Sequence, residues 1–171
     1  MIDLDENRRL AETNHDAFEV MRYSLEGNDE IADAELDAFV DAIAKPIIEA
    51  IDCTQCGNCC RALEVSLVPP DADRLAAGLD IPIEDVITRY VDRERGAAID
   101  EWGTFSHRPC AFLRDGLCTV YTHRPESCRV YPMFTPDFRW TLEHTIEGAA
   151  LCPIICQVLI AVAQEVDELE L

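Results

Sequence analysis

The sequence predicts an α+β fold: a mostly helical single domain with small β-hairpins around a cysteine-rich centre. Three observations lead there. Apolar residues recur at helical spacing through residues 5–26, 30–51 and 153–169. The strand-like stretches between them are short and punctuated by proline and glycine. All nine cysteines fall between residues 53 and 156, in a chain of 171 residues that is long enough to build a core without covalent staples.

In chain order, Leu10, Ala17, Phe18, Met21 and Leu25 form the apolar face of a first helix that ends near Gly27. A second helix sets Ile31, Leu36, Phe39, Val40, Ile43, Ile47 and Ile51 on one face, with Pro46 predicting a kink. Both are read as covers for the core. Leu63, Val65 and Leu67 alternate with polar residues as a short strand. Pro69-Pro70 opens a helix that Gly78 stops. Another runs from Pro82, suited to a first turn, to about Arg95. Asp115-Gly116, between Phe112-Leu113 and Leu117 to Tyr121, predicts a hairpin. Phe138, Trp140 and Leu142 alternate as a further strand, and Pro153 to Leu169 is helical and apolar until its last acidic residues. No internal repeat interrupts this order.

Acids outnumber bases 34 to 14, for a formal charge of −20. Nucleic acid and anionic membranes are therefore excluded as main partners, because both would repel the chain. The bases are 13 arginines and a single lysine, Lys45. An acid-rich, lysine-poor composition points to a halophilic protein, since salt screens the self-repulsion; an ordinary acidic cytosolic protein would share the excess. Asp3, Asp5 and Glu6 precede any apolar run, unlike an export signal. The longest uncharged stretch, Gly148 to Gln164, is short for a span of roughly 20 apolar residues. The expectation is a cytoplasmic protein.

The cysteines carry the chemistry. Cys53-x2-Cys56-x2-Cys59-Cys60 places four thiols within eight residues, and Gly57 permits the tight turn that would converge them. Such spacing serves tetrahedral zinc and iron–sulfur clusters alike. A ferredoxin-type run would need a cysteine at position 63, which is Leu63, so a further ligand must come from far along the chain. Cys110, Cys118 and Cys128 form a second group, and the predicted hairpin brings the first two together. Cys152-Pro153 has the ligand-then-proline form of ferredoxin runs. Cys59 and Cys60 are adjacent, so their side chains suit two different centres. Cys156, one helical turn after Cys152, is expected to be buried. His107 could complete a zinc site of three cysteines and one histidine, although His15, His107, His123 and His144 all read first as surface or hydrogen-bonded residues.

Between Thr104 and Arg139 five arginines face three acids, a positive island in an acidic chain. Arg124 and Arg129 are the candidates to offset the surplus negative charge of a thiolate centre and orient its sulfurs; ion pairing with the acidic surface is the competing reading. The expected organisation is residues 1–52 as an N-terminal helical region packing on the core, 53–156 as a cysteine-cluster metal-binding domain, and 157–171 as a C-terminal helix.

The ordered motifs Cys53-x2-Cys56-x2-Cys59-Cys60, Cys110-Ala-Phe-Leu, Gly116-Leu-Cys118-Thr-Val-Tyr and Arg124-Pro-x2-Cys128-Arg-Val-Tyr-Pro132 closely resemble the CxxCxxCC cysteine-cluster family of YkgJ-like zinc- or iron-chelating domains. The resemblance covers roughly residues 53–156. It implies Cys53, Cys56, Cys59, Cys60, Cys110, Cys118, Cys128 and Cys152 as ligands of zinc or of an iron–sulfur cluster, 4Fe-4S if iron. Some relatives are called iron–sulfur oxidoreductases and others flagellin lysine N-methylases. The chain departs from the family after Cys152-Pro153, where Ile-Ile-Cys156 replaces a glycine-rich continuation.

The remaining motifs narrow the function. The seven glycines form neither a dinucleotide fingerprint nor a P-loop, and no G-x-S-x-G elbow occurs. Radical-SAM spacing again requires a cysteine at position 63, so a methylase reading lacks its cofactor loop. What remains is a metal-binding protein, with an iron–sulfur oxidoreductase or electron carrier as the alternative and a thiol switch at Cys59-Cys60 or Cys156 as a third reading. Zinc has no redox chemistry, so the metal separates the first two.

Overall fold

The computed structural model describes residues 3–168. In chain order the elements are α1 (Leu4–Glu26), α2 (Asp33–Ala50), α3 (Asn58–Ala62), β1 (Ser66–Leu67), α4 (Pro69–Leu79), α5 (Ile83–Tyr90), β2 (Val91–Asp92), α6 (Arg93–Ala97), β3 (Gly103–Phe105), β4 (Leu113–Arg114), β5 (Leu117–Cys118), α7 (Glu126–Val130), α8 (Phe138–Glu147) and α9 (Pro153–Glu168). Single 3-10 turns lie at Cys53–Gln55 and Tyr121–His123. The class is α+β and mostly helical, as expected. None of the described helices is long and apolar enough to cross a membrane. Contacts divide the chain into two compact units, one of Met1–Cys53 with Pro132–Leu171 and one of Thr54–Tyr131.

The first unit is helical, with α1 and α2 each packing on both α8 and α9. Asp3 starts α1 by accepting from the N–H groups of Asp5 and Glu6, both at 3.0 Å, and those two acids sit at the positive end of the helix. Phe18, Met21 and Leu25 of α1, Leu36 and Val40 of α2, and Val158, Leu159 and Val162 of α9 are buried. Leu10, expected inside, is 37% exposed; Asn7 and Ala11 take the interior instead. The Asn7 side-chain amide is satisfied there, donating to the carbonyls of Ala149 at 3.0 Å and Ala150 at 3.1 Å. Helix α2 continues through Pro46.

The stretch containing Phe138, Trp140 and Leu142, expected as a strand, is helix α8. Three alternating residues fit either period, and the positions that pack are Phe138, Leu142 and Ile146, four apart, while Trp140 is 62% exposed. Tertiary partners decide the matter. Asp37 of α2 accepts from the N–H groups of Asp137 at 2.9 Å and Phe138 at 3.0 Å, capping α8 from another helix. Arg139, only 4% exposed, bonds Asp33 at 2.6 Å and the carbonyls of Leu25, Asn28 and Ile31. Asp41 accepts from the Thr135 hydroxyl at 2.8 Å. An acidic stripe at four-residue spacing on α2 thus serves as caps and partners.

The second unit has a three-stranded antiparallel sheet in the order β1-β3-β2 and a separate β4-β5 hairpin. Leu67, Leu75, Val86, Phe105, Phe112 and Val120 form its buried core. The expected strand at 63–67 shrinks to Ser66–Leu67, extended by one bond from Phe105 N–H to the Val65 carbonyl at 3.1 Å. Gly78 does not stop α4: the chain turns at Asp80, whose φ of 54° is left-handed. Gly78 instead makes room, since a Cβ there would lie 2.6 Å from the Cβ of His123. The helix expected to run from Pro82 to Arg95 ends at Tyr90. Val91 and Asp92 leave it to pair with Phe105 and Thr104, which buries Val91, and Asp92 then caps α6. The predicted hairpin is present, with Asp115 (φ 50°) and Gly116 (φ 82°) both left-handed as a tight two-residue turn requires.

Candidate metal centre

Six of the nine cysteines, Cys56, Cys59, Cys60, Cys110, Cys118 and Cys128, lie in the second unit, on several separate chain segments. Gly57 adopts φ 60°, turning the chain into α3, which carries Cys59 and Cys60. That turn sits on the hairpin: a Cβ on Gly57 would be 3.0 Å from the Gly116 carbonyl oxygen. The Cys110 N–H donates to the Cys60 carbonyl at 2.8 Å, tying the motif to the segment before β4. Cys118 lies in β5 opposite Leu113. Cys110 and Cys118 also pack against the buried apolar cluster.

Cys128 arrives on α7, a five-residue helix too short to hold itself. Two side-chain ties dock it. Asp71, 1% exposed, accepts from Glu126 N–H at 2.9 Å, from Val68 N–H at 3.0 Å and from Arg74 at 3.0 Å. The Ser127 hydroxyl donates to the Ser66 carbonyl at 2.6 Å. Neither residue stood out in the sequence. Asp71 after Pro69-Pro70 is legible as a first-turn cap, but its bond to a residue 55 positions away is not.

Cys60, Cys110, Cys118 and Cys128 influence one another's ionisation in every pairing. The bond with Cys59 is the main cause that brings the Cys60 thiol down to about 6, aided by the charges of Arg61 and Arg124. Burial, then the negative charges of Cys110, Cys60 and Cys118, pushes the Cys128 thiol up to about 12. Burial likewise raises Cys110 and Cys118. Four thiolates brought together in a half-buried site would repel one another, which raises the cost of ionising each after the first. A cation would relieve that repulsion, which is the chemistry of a four-cysteine zinc or iron–sulfur donor set. The donors fit by type and number. Among the described residues no group of three or more His, Cys, Asp or Glu side chains is arranged to hold a metal ion.

The other expected site residues fall as follows. Cys59 partners Cys60, and the Cys56 carbonyl accepts from Arg61 at 3.0 Å. Cys53, exposed, and Cys152, buried, belong to the helical unit. Cys156 is fully buried there, as expected, with its Sγ 4.0 Å from the Asn7 carbonyl oxygen and Cys152 beside it. Among the described residues, Arg124 and Arg129 bond backbone carbonyls. His107 is exposed.

A family model described as "Putative zinc- or iron-chelating domain" matches residues 52–153. The chain belongs to the CxxCxxCC family. The match takes in eight of the nine cysteines of this CxxCxxCC protein and stops short of Cys156. No curated protein and no solved structure matches the chain.

Proposed function

We propose that this CxxCxxCC protein binds one zinc ion or one iron–sulfur cluster, 4Fe-4S if iron, through Cys60, Cys110, Cys118 and Cys128. One observation carries the reading: the Cys110 N–H bonds the Cys60 carbonyl at 2.8 Å, the Gly57 turn sits on the hairpin that holds Cys118, and Asp71 and Ser127 dock the helix of Cys128 in the same unit. Chance burial of cysteines does not require that convergence, and zinc or cluster sites do. Bound zinc would supply a fixed tetrahedral anchor, and a bound cluster one-electron transfer as well. The residues themselves position the donors: Gly57 turns the motif onto the hairpin, the Cys60 carbonyl holds Cys110, and Asp71 with Ser127 docks Cys128. Cys56 and Cys59 are the neighbouring donors available to a larger centre. The acid excess supports a cytoplasmic setting rich in salt, where screening relieves a charge of −20.

The test is elemental analysis and a visible spectrum on protein purified without oxygen, with Cys110→Ser and Cys128→Ser alongside. Each substitution should lower metal per chain to near zero. Zinc without colour identifies a structural ion; iron with labile sulfide and a brown band identifies a cluster. Metal content unchanged in both variants would overturn the ligand set.

A further inference from the structure

The arginines of this chain differ in what they bond. Arg22 pairs with Glu19 and Glu26, Arg74 with Asp71, Arg89 with Asp85 and Arg108 with Glu64. Arg61 and Arg114 each bond a single backbone carbonyl, of Cys56 and Leu113. Arg124 and Arg129 each bond two. In a chain with 34 acids, their guanidinium groups bond backbone carbonyls only, among the described residues. Arg124 Nη1 donates to the Tyr121 carbonyl at 2.9 Å and Nε to the Cys128 carbonyl at 3.4 Å, and its guanidinium lies 3.8 Å from the centre of the Tyr121 ring. Arg129 braces it, donating to the Arg124 carbonyl at 3.0 Å and to the Thr122 carbonyl at 2.7 Å. Arg124 is thereby held against the backbone of Cys128, one of the four proposed ligands.

We infer that Arg124 is the positioning residue of the thiol group, clamping the Cys128 segment to the 3-10 turn at Tyr121–His123 and offsetting the negative charge that four thiolates bring together. This rests on the metal-binding reading and deepens it. A divalent ion leaves a four-thiolate site with two surplus negative charges, and an always-protonated guanidinium held free of carboxylates is the group suited to face them. Its fork serves both carbonyls at once; a lysine at the same position would keep the charge and lose one of the two bonds.

The experiment compares wild type with R124M, R124K and R89M, the last removing an equal charge from a surface pair on α5. Zinc affinity is measured by chelator competition, the cobalt(II) thiolate bands by absorption after exchange, and the metal-free melting temperature separately. Expected are a loss of about tenfold or more in zinc affinity for R124M with shifted cobalt bands, an intermediate loss for R124K, and no change for R89M. A role confined to scaffolding would lower the metal-free melting temperature and leave affinity and bands alone, which would overturn the inference. R124M binding zinc as wild type does would overturn it too. If R124M does not fold, R124K decides: roughly threefold weaker binding supports the clamp, and unchanged affinity sinks it. A wild-type protein that takes up neither zinc nor cobalt would instead defeat the metal-binding reading.

Discussion

The helical unit holds 22 acids against 5 bases and is built from four helices of 10 to 23 residues with aliphatic interiors. The cysteine unit holds 12 acids against 9 bases, and its longest helix is the 11 residues of α4. Its strands run two or three residues and its remaining helices five to eight. Segments that short do not persist on local hydrogen bonds, because too few bonds repay the fixed dihedrals. In their place are ties between distant residues, Asp71 to Glu126 and Ser127 to Ser66, with Arg124 bracing Cys128 locally. The two units show two ways of ordering a chain. Both bury apolar side chains and both use long-range side-chain-to-backbone bonds, but one applies them to long helices with repeated apolar faces and the other pins short pieces with them around a thiol-rich centre.

If the proposed metal is the last of those pins, stripping it with a chelator should separate the units most. Structural zinc binding is worth about 10–16 kcal/mol in zinc-finger peptides, more than any single side chain supplies. Hydrogen exchange should then show lost protection across Thr54–Tyr131 while amides of α1 and α9 stay protected. Equal loss in both would break the comparison.

The next effect belongs to the helical unit. Phe138, fully buried at the start of α8, should cost about 3–5 kcal/mol as Phe138→Ala in denaturant unfolding, with metal per folded chain unchanged. A cost under about 1 kcal/mol would mean the apolar interior is not what orders that unit.

Smaller again is Gly96→Ala in the cysteine unit. A Cβ there would lie 2.4 Å from the Gly103 Cα, a backbone atom that cannot rotate aside, so α6 must lift from β3. The expected cost is about 1–3 kcal/mol, read from the urea midpoint. A neutral result would show that this unit has slack where its short elements meet.

Asp33 gives the mildest test. The Trp140 indole N–H, and then Arg139, hold its carboxyl below the ordinary carboxylate range. A depressed folded-state value contributes stability that is present above the unfolded value and lost as pH falls through the folded one. Wild type should therefore lose stability on acidification below about pH 4, and Asp33→Asn should respond less steeply over that window. Parallel pH profiles would remove Asp33 from the acid response of the helical unit.

Much of the helical unit was legible because its signals are long. The apolar positions of α1 and α2 repeat over several turns, and Pro153 opens α9 where the sequence places it. The hairpin was legible because Asp115-Gly116 supplies two left-handed residues that few other pairs tolerate. The cysteine types and spacings likewise announced zinc or iron chemistry before any contact was known.

Tertiary structure decided the rest, since the information lies in partners far along the chain. Val91 leaves its helix to pair with Phe105, and α8 forms where Asp37 caps it and Arg139 finds carbonyls a hundred residues away. Local pattern measures only the periodicity of a segment, and over three or four residues the helical and extended periods coincide. The same limit governs the site. Spacing nominated eight cysteines and Gly57 as their turn, but where α7 carries Cys128 rests on Asp71 and Ser127, whose bonds to residues 55 and 61 positions away have no sequence signature.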